Sequence, residues 1–146
     1  MTALGDFSSG DVLTAADLNA IGTWTAYTPT FNNVTVTTSA ARYCQINKTV
    51  MIALYMVVSA VSGPPGVSVP SGLNISRFTN FQPVNLLDAG IANYLGGAFY
   101  TNATSFNIYS VASSGSYAQL ALVNATTPFT WGAGDAIEGI LIYEAA

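Results

Sequence analysis

Seven acids and three cations carry all the formal charge in this chain, and there is no histidine. Without imidazole there is no His general base, no Ser-His-Asp or Cys-His nucleophile pair and no histidine metal ligand. Asp135 and Glu138 are the carboxylates closest together outside the N-terminal segment. Three residues apart on a strand they point to opposite faces, so they do not make the facing pair that glycoside hydrolysis requires. Their oxygens, with backbone carbonyls, would suit a calcium ion, but no motif demands one, and neither a metal nor a cofactor is expected. Gly96-Gly97 and Gly132-Ala133-Gly134 lack the Lys-Ser/Thr that follows a phosphate-binding loop, and read as turns. Cys44 is the only cysteine and has no intramolecular partner; within Arg42–Ile46 it reads as a small buried hydrophobe.

The cations are Arg42, Lys48 and Arg77, in a chain of net charge -4. They cannot neutralise a run of phosphates, so nucleic acid is not an expected partner. Charged residues make up 7% of the chain, against about 25% in an ordinary soluble domain, and none lies between Ala89 and Gly134. Solubility must come from Ser, Thr and Asn. The most apolar stretch, Val50 to Val61, is shorter than the roughly 20 residues of a spanning helix, so no membrane insertion is expected. Met1 to Phe7 has neither the basic nor the apolar region of a secretory leader.

The elements that position these residues divide the chain at about residue 22. Residues 1–22 contain the only helical pattern, Val12 to Ile21, with Thr14 as N-cap, Asp17 completing a capping box and Gly22 as a stop. A helix of two turns does not hold itself in water, so the segment must rest on something else; Phe7, Val12, Leu13, Leu18 and Ile21 are its candidate docking residues. Residues 23–146 switch to short runs rich in Val, Ile, Thr, Tyr and Phe, separated by Gly, Pro, Asn and Ser. Strands are predicted near 24–28, 33–38, 41–47, 49–60, 67–69, 73–76, 84–88, 90–100 (broken at Gly96-Gly97), 105–112, 116–123 and 136–144. This pattern predicts an all-β fold, an antiparallel β-sandwich of the jelly-roll kind.

The strand from Thr49 to Val61 is apolar on both faces: Val50, Ile52, Leu54, Met56 and Val58 on one, Met51, Ala53, Tyr55 and Val57 on the other. Near the C-terminus Ile140 and Ile142 oppose Ile137, Leu141 and Tyr143 in the same way. One set fills a core and the second needs another cover. The expected cover is a second copy of the chain, with Met51, Tyr55, Val57, Ile140 and Ile142 as interface residues. Among the aromatics, Tyr94, Tyr100 and Trp131 are the candidate ligand contacts, suited to stacking on a sugar or anchoring a protein. Five Asn-x-Ser/Thr sequons begin at Asn33, Asn47, Asn74, Asn102 and Asn124; with no leader they read as by-products of an Asn- and Thr-rich surface.

Four segments carry a resemblance. Phe7-Ser-Ser-Gly-Asp-Val-Leu-Thr-Ala-Ala-Asp-Leu-Asn-Ala20 is similar to the N-terminal segment of tail-fibre and minor tail proteins of tailed bacteriophages. Trp24-Thr-Ala-Tyr-Thr-Pro-Thr30 and Arg42-Tyr-Cys-Gln-Ile-Asn-Lys-Thr-Val50 resemble elements of small phage structural proteins with β-sandwich domains, although Asn47 stands where those have Gly. Trp131-Gly-Ala-Gly-Asp135, leading into Ile140–Tyr143, resembles their closing strand. The resemblance covers about a third of the chain. It implies a non-enzymatic virion protein, assembled in the host cytoplasm, most simply a homotrimer. The N-terminal segment would dock on other virion proteins, and the β-domain would face outward toward a host-surface glycan or protein. A tail-associated fibre or receptor-binding-type protein is the leading expectation. A capsid decoration protein and a carbohydrate-binding lectin or adhesin are the alternatives.

Overall fold

A computed structural model describes residues 14, 21–78, 81–114 and 117–146. Val-, Ile-, Thr- and aromatic-rich runs form nine strands: β1 (Thr25–Ala26), β2 (Phe31–Ile46), β3 (Thr49–Ser68), β4 (Ile75–Phe78), β5 (Gln82–Asp88), β6 (Ala92–Asn102), β7 (Ser105–Ser114), β8 (Tyr117–Ala121) and β9 (Asp135–Ala145). The predicted all-β, antiparallel character is what the structure has. The predicted helix from Val12 to Ile21 lies almost wholly outside the described residues. Among the described residues, no helix is long and apolar enough to cross a membrane.

Hydrogen bonds join the strands into one barrel-like sheet in place of the two sheets of a jelly roll. Strand β3 closes the ring because it changes partner along its length. Its first half, Thr49 to Val58, pairs with β9, and its last residues, Gly66 to Ser68, pair with β7. The ring is completed through β9–β5, β5–β6 and β6–β7. The switch falls at Gly63-Pro64-Pro65-Gly66. The β9 ladder has already ended at Val58, whose partner Asp135 is the first residue of β9; proline has no N–H for a ladder, and pairing resumes with β7 only at Gly66. Strand β2 pairs with the other edge of β3, and β1 lies beyond it.

The strand period of two divides the side chains cleanly. Val50, Ile52, Leu54, Met56 and Val58 of β3 meet Ile137, Leu141 and Tyr143 of β9, Val84 and Leu86 of β5, and Phe106 and Ile108 of β7 in a single buried core. Val123, Phe129 and Trp131, from the β8–β9 connection, belong to the same core.

Two sequence expectations about turns change. Asn32-Asn33, a turn signal by residue type just ahead of the strand predicted at 33–38, is absorbed into β2: Asn33 takes the left-handed conformation (φ 59), and the β2–β3 register shifts between Asn32 and Val34. Asn tolerates that conformation, so the strand carries a bulge and continues. Gly96-Gly97, expected to break β6, lies within it. Here glycine makes room. A Cβ on Gly96 would lie 2.8 Å from the Tyr109 carbonyl oxygen, and one on Gly97 would strike the Phe81 ring. At the β2–β3 hairpin, Ile46 pairs with Thr49 across the two residues Asn47 and Lys48, and Asn47 supplies the left-handed residue (φ 54). Asn47 therefore supplies a conformation that glycine adopts most readily.

Candidate functional site

The outward residues of β3 and β9 face away from the core and form the centre of the candidate surface. The register places them in rows across the strands. Ala40, Tyr55, Glu138, Asn85 and Leu95 form one row, from β2 through β3, β9 and β5 to β6. Arg42, Ala53 and Ile140 form the next, and Cys44, Met51 and Ile142 the one after. Tyr55 is 41% exposed, Leu95 53%, Ile140 60% and Ile142 45%. Met51 and Val57 are half-buried. The five residues expected at an oligomer interface therefore lie on one outer face.

A depression of about 730 Å³ runs along this face, lined by Ala53, Pro83, Asn85, Leu95, Glu138 and Ile140 among others. Gly139 forms part of its floor; a Cβ there would lie 2.9 Å from Val84 Cγ1, so glycine lets Val84 pack against the backbone of β9. A short polar string crosses the apolar surface. Asn85 Nδ2 donates to Asn93 Oδ1 at 2.9 Å and to Glu138 Oε1 at 3.0 Å. On the β2 flank, the Arg42 guanidinium lies 5.2 Å from the centre of the Trp24 ring, a cation–π contact.

Next to this flank the chain leaves the described β-domain toward its N-terminus. A Cβ on Gly22 would lie 3.6 Å from Cys44 Sγ and 3.8 Å from Ile46 Cδ1. That packing helps bury Cys44 although it is in the outward row; the thiol is free and buried, as expected. Of the candidate docking residues only Ile21 is described, 39% exposed; Phe7, Val12, Leu13 and Leu18 lie outside the described residues.

The candidate ligand contacts separate. Trp131 is 6% exposed, its ring centre 4.3 Å from that of Phe129, and its Nε1 donates to the Thr127 carbonyl at 3.1 Å. It is a core residue and not a ligand contact. Tyr94 is half-buried, 5.1 Å from Phe129, and only Tyr100 is well exposed, at 52%. The three do not form one site. Asp135 and Glu138 do point to opposite faces. Asp135 is buried, its Oδ1 accepting the Ala89 N–H at 2.9 Å and its Oδ2 the Gly132 N–H at 2.6 Å. Both oxygens serve as a latch between the β5–β6 turn and the entry to β9. Among the described residues no three His, Cys, Asp or Glu side chains are grouped to hold a metal ion.

Leu95, Arg42, Asn85 and Asn93 join the candidate surface although the sequence alone did not mark them out for it. The pattern of β6 holds the signal for two of them. If Tyr94, Gly96 and Ala98 face inward, Asn93 and Leu95 must face out. Compared with known proteins, the chain matches no family model, no curated protein and no solved structure.

Proposed function

We propose that this chain is a non-enzymatic structural protein of a tailed-bacteriophage virion, a short tail-associated fibre or receptor-binding-type subunit. It forms a homo-oligomer, in the simplest case a trimer, through the outer face of β3 and β9, and docks by its N-terminal segment. The observation that carries this reading is the exposed apolar surface of Tyr55, Ile140 and Ile142, with Leu95 beyond the Asn85–Glu138 pair, on a chain with little charge. Large apolar patches on soluble domains mark contact surfaces, and isologous or ring-forming contacts between copies are the commonest way to cover one. The phage-like segments at residues 7–20, 24–30 and 42–50 supply the virion part of the reading. Immunogold labelling of phage particles with an antibody to the chain tests it. Label at the tail tip or fibres supports the tail assignment, label over the head supports the capsid decoration alternative, and no label on particles overturns the virion reading.

A second reading, glycan binding, is favoured by the hydrogen-bonded Asn93–Asn85–Glu138 string within the groove. Planar amides and a carboxylate flanked by apolar side chains match the alternating hydroxyl and C–H surfaces of a neutral sugar. A glycan array probed with the purified chain separates the two: saturable binding that is lost in Asn85→Ala supports a lectin role for the groove.

A further inference from the structure

Resting on the reading of the chain as a homo-oligomer through this face, we propose that Arg42 of one copy pairs with Glu138 of the next. Tyr55, Ala53 and Ile140 pack between them. Arg42 is the only cation in the three outward rows, and Glu138 the only acid in them. The two are separated by two strand spacings and two residues along the strand, roughly 12 Å between Cα atoms. Arg42 leans over Trp24, which precedes β1 and so lies on the side of β2 away from β9. Glu138 accepts from the neutral amide of Asn85.

Covering this face makes demands on both groups. A carboxylate taken out of water without a cation is strongly penalised, so whatever seats on Ile140 and Tyr55 must either avoid Glu138 or bring it a positive charge. The chain has two other cations. Lys48 lies in the β2–β3 turn, and Arg77, on β4, is opposite Glu144, which stands beyond the three rows near the end of β9. Arg42 alone lies in the outward rows, on β2 at one side of the face, two strands from Glu138 in the middle of its row. A patch with one charge of each sign set two strands apart is complementary to itself. Two copies related by a two-fold axis that exchanges the two positions bring each Arg42 over the other's Glu138, and a head-to-tail ring brings Arg42 on β2 of one copy against Glu138 on β9 of the next. Like-on-like registers, with Glu138 against Glu138, are penalised. The planar guanidinium fork suits a carboxylate held in place by Asn85.

The test is charge reversal with the full chain. Arg42→Glu and Glu138→Arg should each weaken self-association at least tenfold by light scattering across a dilution series, with an unchanged far-UV spectrum. The double variant, Arg42→Glu with Glu138→Arg, restores the opposite-sign pair in any symmetry and should recover wild-type association. Arg42→Lys should retain most of it. If the wild type associates and the single reversals associate equally well, the pairing is wrong while the oligomer reading stands. The pairing is equally wrong if the double variant fails to recover. A wild type that remains a monomer of 15.2 kDa at every concentration overturns both.

Discussion

Gln82 engages both backbone groups of one residue, Ile142: its Nε2 donates to the Ile142 carbonyl, and its Oε1 accepts the Ile142 N–H at 2.5 Å. Strand β5 pairs with β9 from Val84 to Leu87, and β4 pairs with β9 around Tyr143 to Ala145. Ile142 falls in the gap, where neither neighbour supplies a ladder partner, and a 7% exposed amide stands in for the missing strand. Gln82→Leu keeps the volume and leaves both groups unpaired, so it should cost about 2 kcal/mol, read as a lower urea midpoint. Gln82→Glu adds a pH signature. A neutral carboxyl both donates and accepts, whereas a carboxylate only accepts, so folding raises the pKa of the new group above its unfolded value near 4.3. The deficit relative to wild type should be smallest below that pH and grow as pH rises through the folded-state pKa.

Gly96 and Gly97 are adjacent but resist substitution for different reasons. The Cβ of Gly96→Ala would meet the Tyr109 carbonyl and Val84 Cγ2, both within 3 Å, one backbone and one buried. That of Gly97→Ala meets side chains only, chiefly the ring of Phe81, which is 40% exposed and has solvent on its outer side. Gly96→Ala should therefore cost about 1–3 kcal/mol and Gly97→Ala clearly less. Equal urea midpoints for the two variants would contradict this ordering.

Tyr27 and Tyr143 are held well above the ordinary tyrosine range, chiefly by burial and secondarily by nearby tyrosines. Tyr143 donates to the Leu73 carbonyl at 2.8 Å, and Tyr27 to that of Ser68 at 3.3 Å. Both remain protonated in the folded chain at pH values where the unfolded chain ionises, so the folded state binds more protons above about pH 10. Their contribution to stability is complete below that pH and declines as pH rises further. Tyr143→Phe should flatten the alkaline fall in the urea midpoint above about pH 10. An unchanged slope would show that the fall arises elsewhere.

The two tryptophans give an optical check on which aromatics are available to a ligand. Trp24 is 39% exposed and Trp131 6%. Iodide should quench the emission that Trp24→Phe removes and leave the emission that Trp131→Phe removes nearly untouched. Strong quenching of Trp131 would restore it as a candidate ligand contact.

Most of the fold is legible because β-branched and aromatic residues cluster where strands form and because the period of two marks what is inside. Val50 to Val58 shows this, with even positions buried and odd positions turned outward. The failures share one cause. Asn33, Gly96 and Pro64-Pro65 are turn-forming residues by local preference, yet each lies inside a strand because a neighbour requires it. Asn33 makes a bulge, Gly96 makes room for the Tyr109 carbonyl, and the prolines lie between the stretch of β3 that pairs with β9 and the stretch that pairs with β7. Such requirements arise between segments distant in sequence, and so does the juxtaposition of Arg42 with Ile140. Trp131 misleads in the opposite direction, since a loop aromatic reads as a contact until the core it fills is known.

Leu141 and Ile140 are neighbours on β9 with opposite roles, and substitution should separate folding from assembly. Leu141 is fully buried among Ile52, Leu86 and their neighbours, while Ile140 is 60% exposed beside Ala53. Leu141→Ala should cost about 2–5 kcal/mol in the urea midpoint. Ile140→Ser removes nothing from the core, so its midpoint, measured in dilute solution where the chain is monomeric, should lie within about 0.5 kcal/mol of wild type. Its self-association should nevertheless be the weaker, because Ile140 lies at the centre of the proposed contact between Arg42 and Glu138. A substitution at Ile140 that lowers stability as Leu141→Ala does would mean that this face is already covered within the single chain, and the assembly surface would have to be sought elsewhere on the barrel.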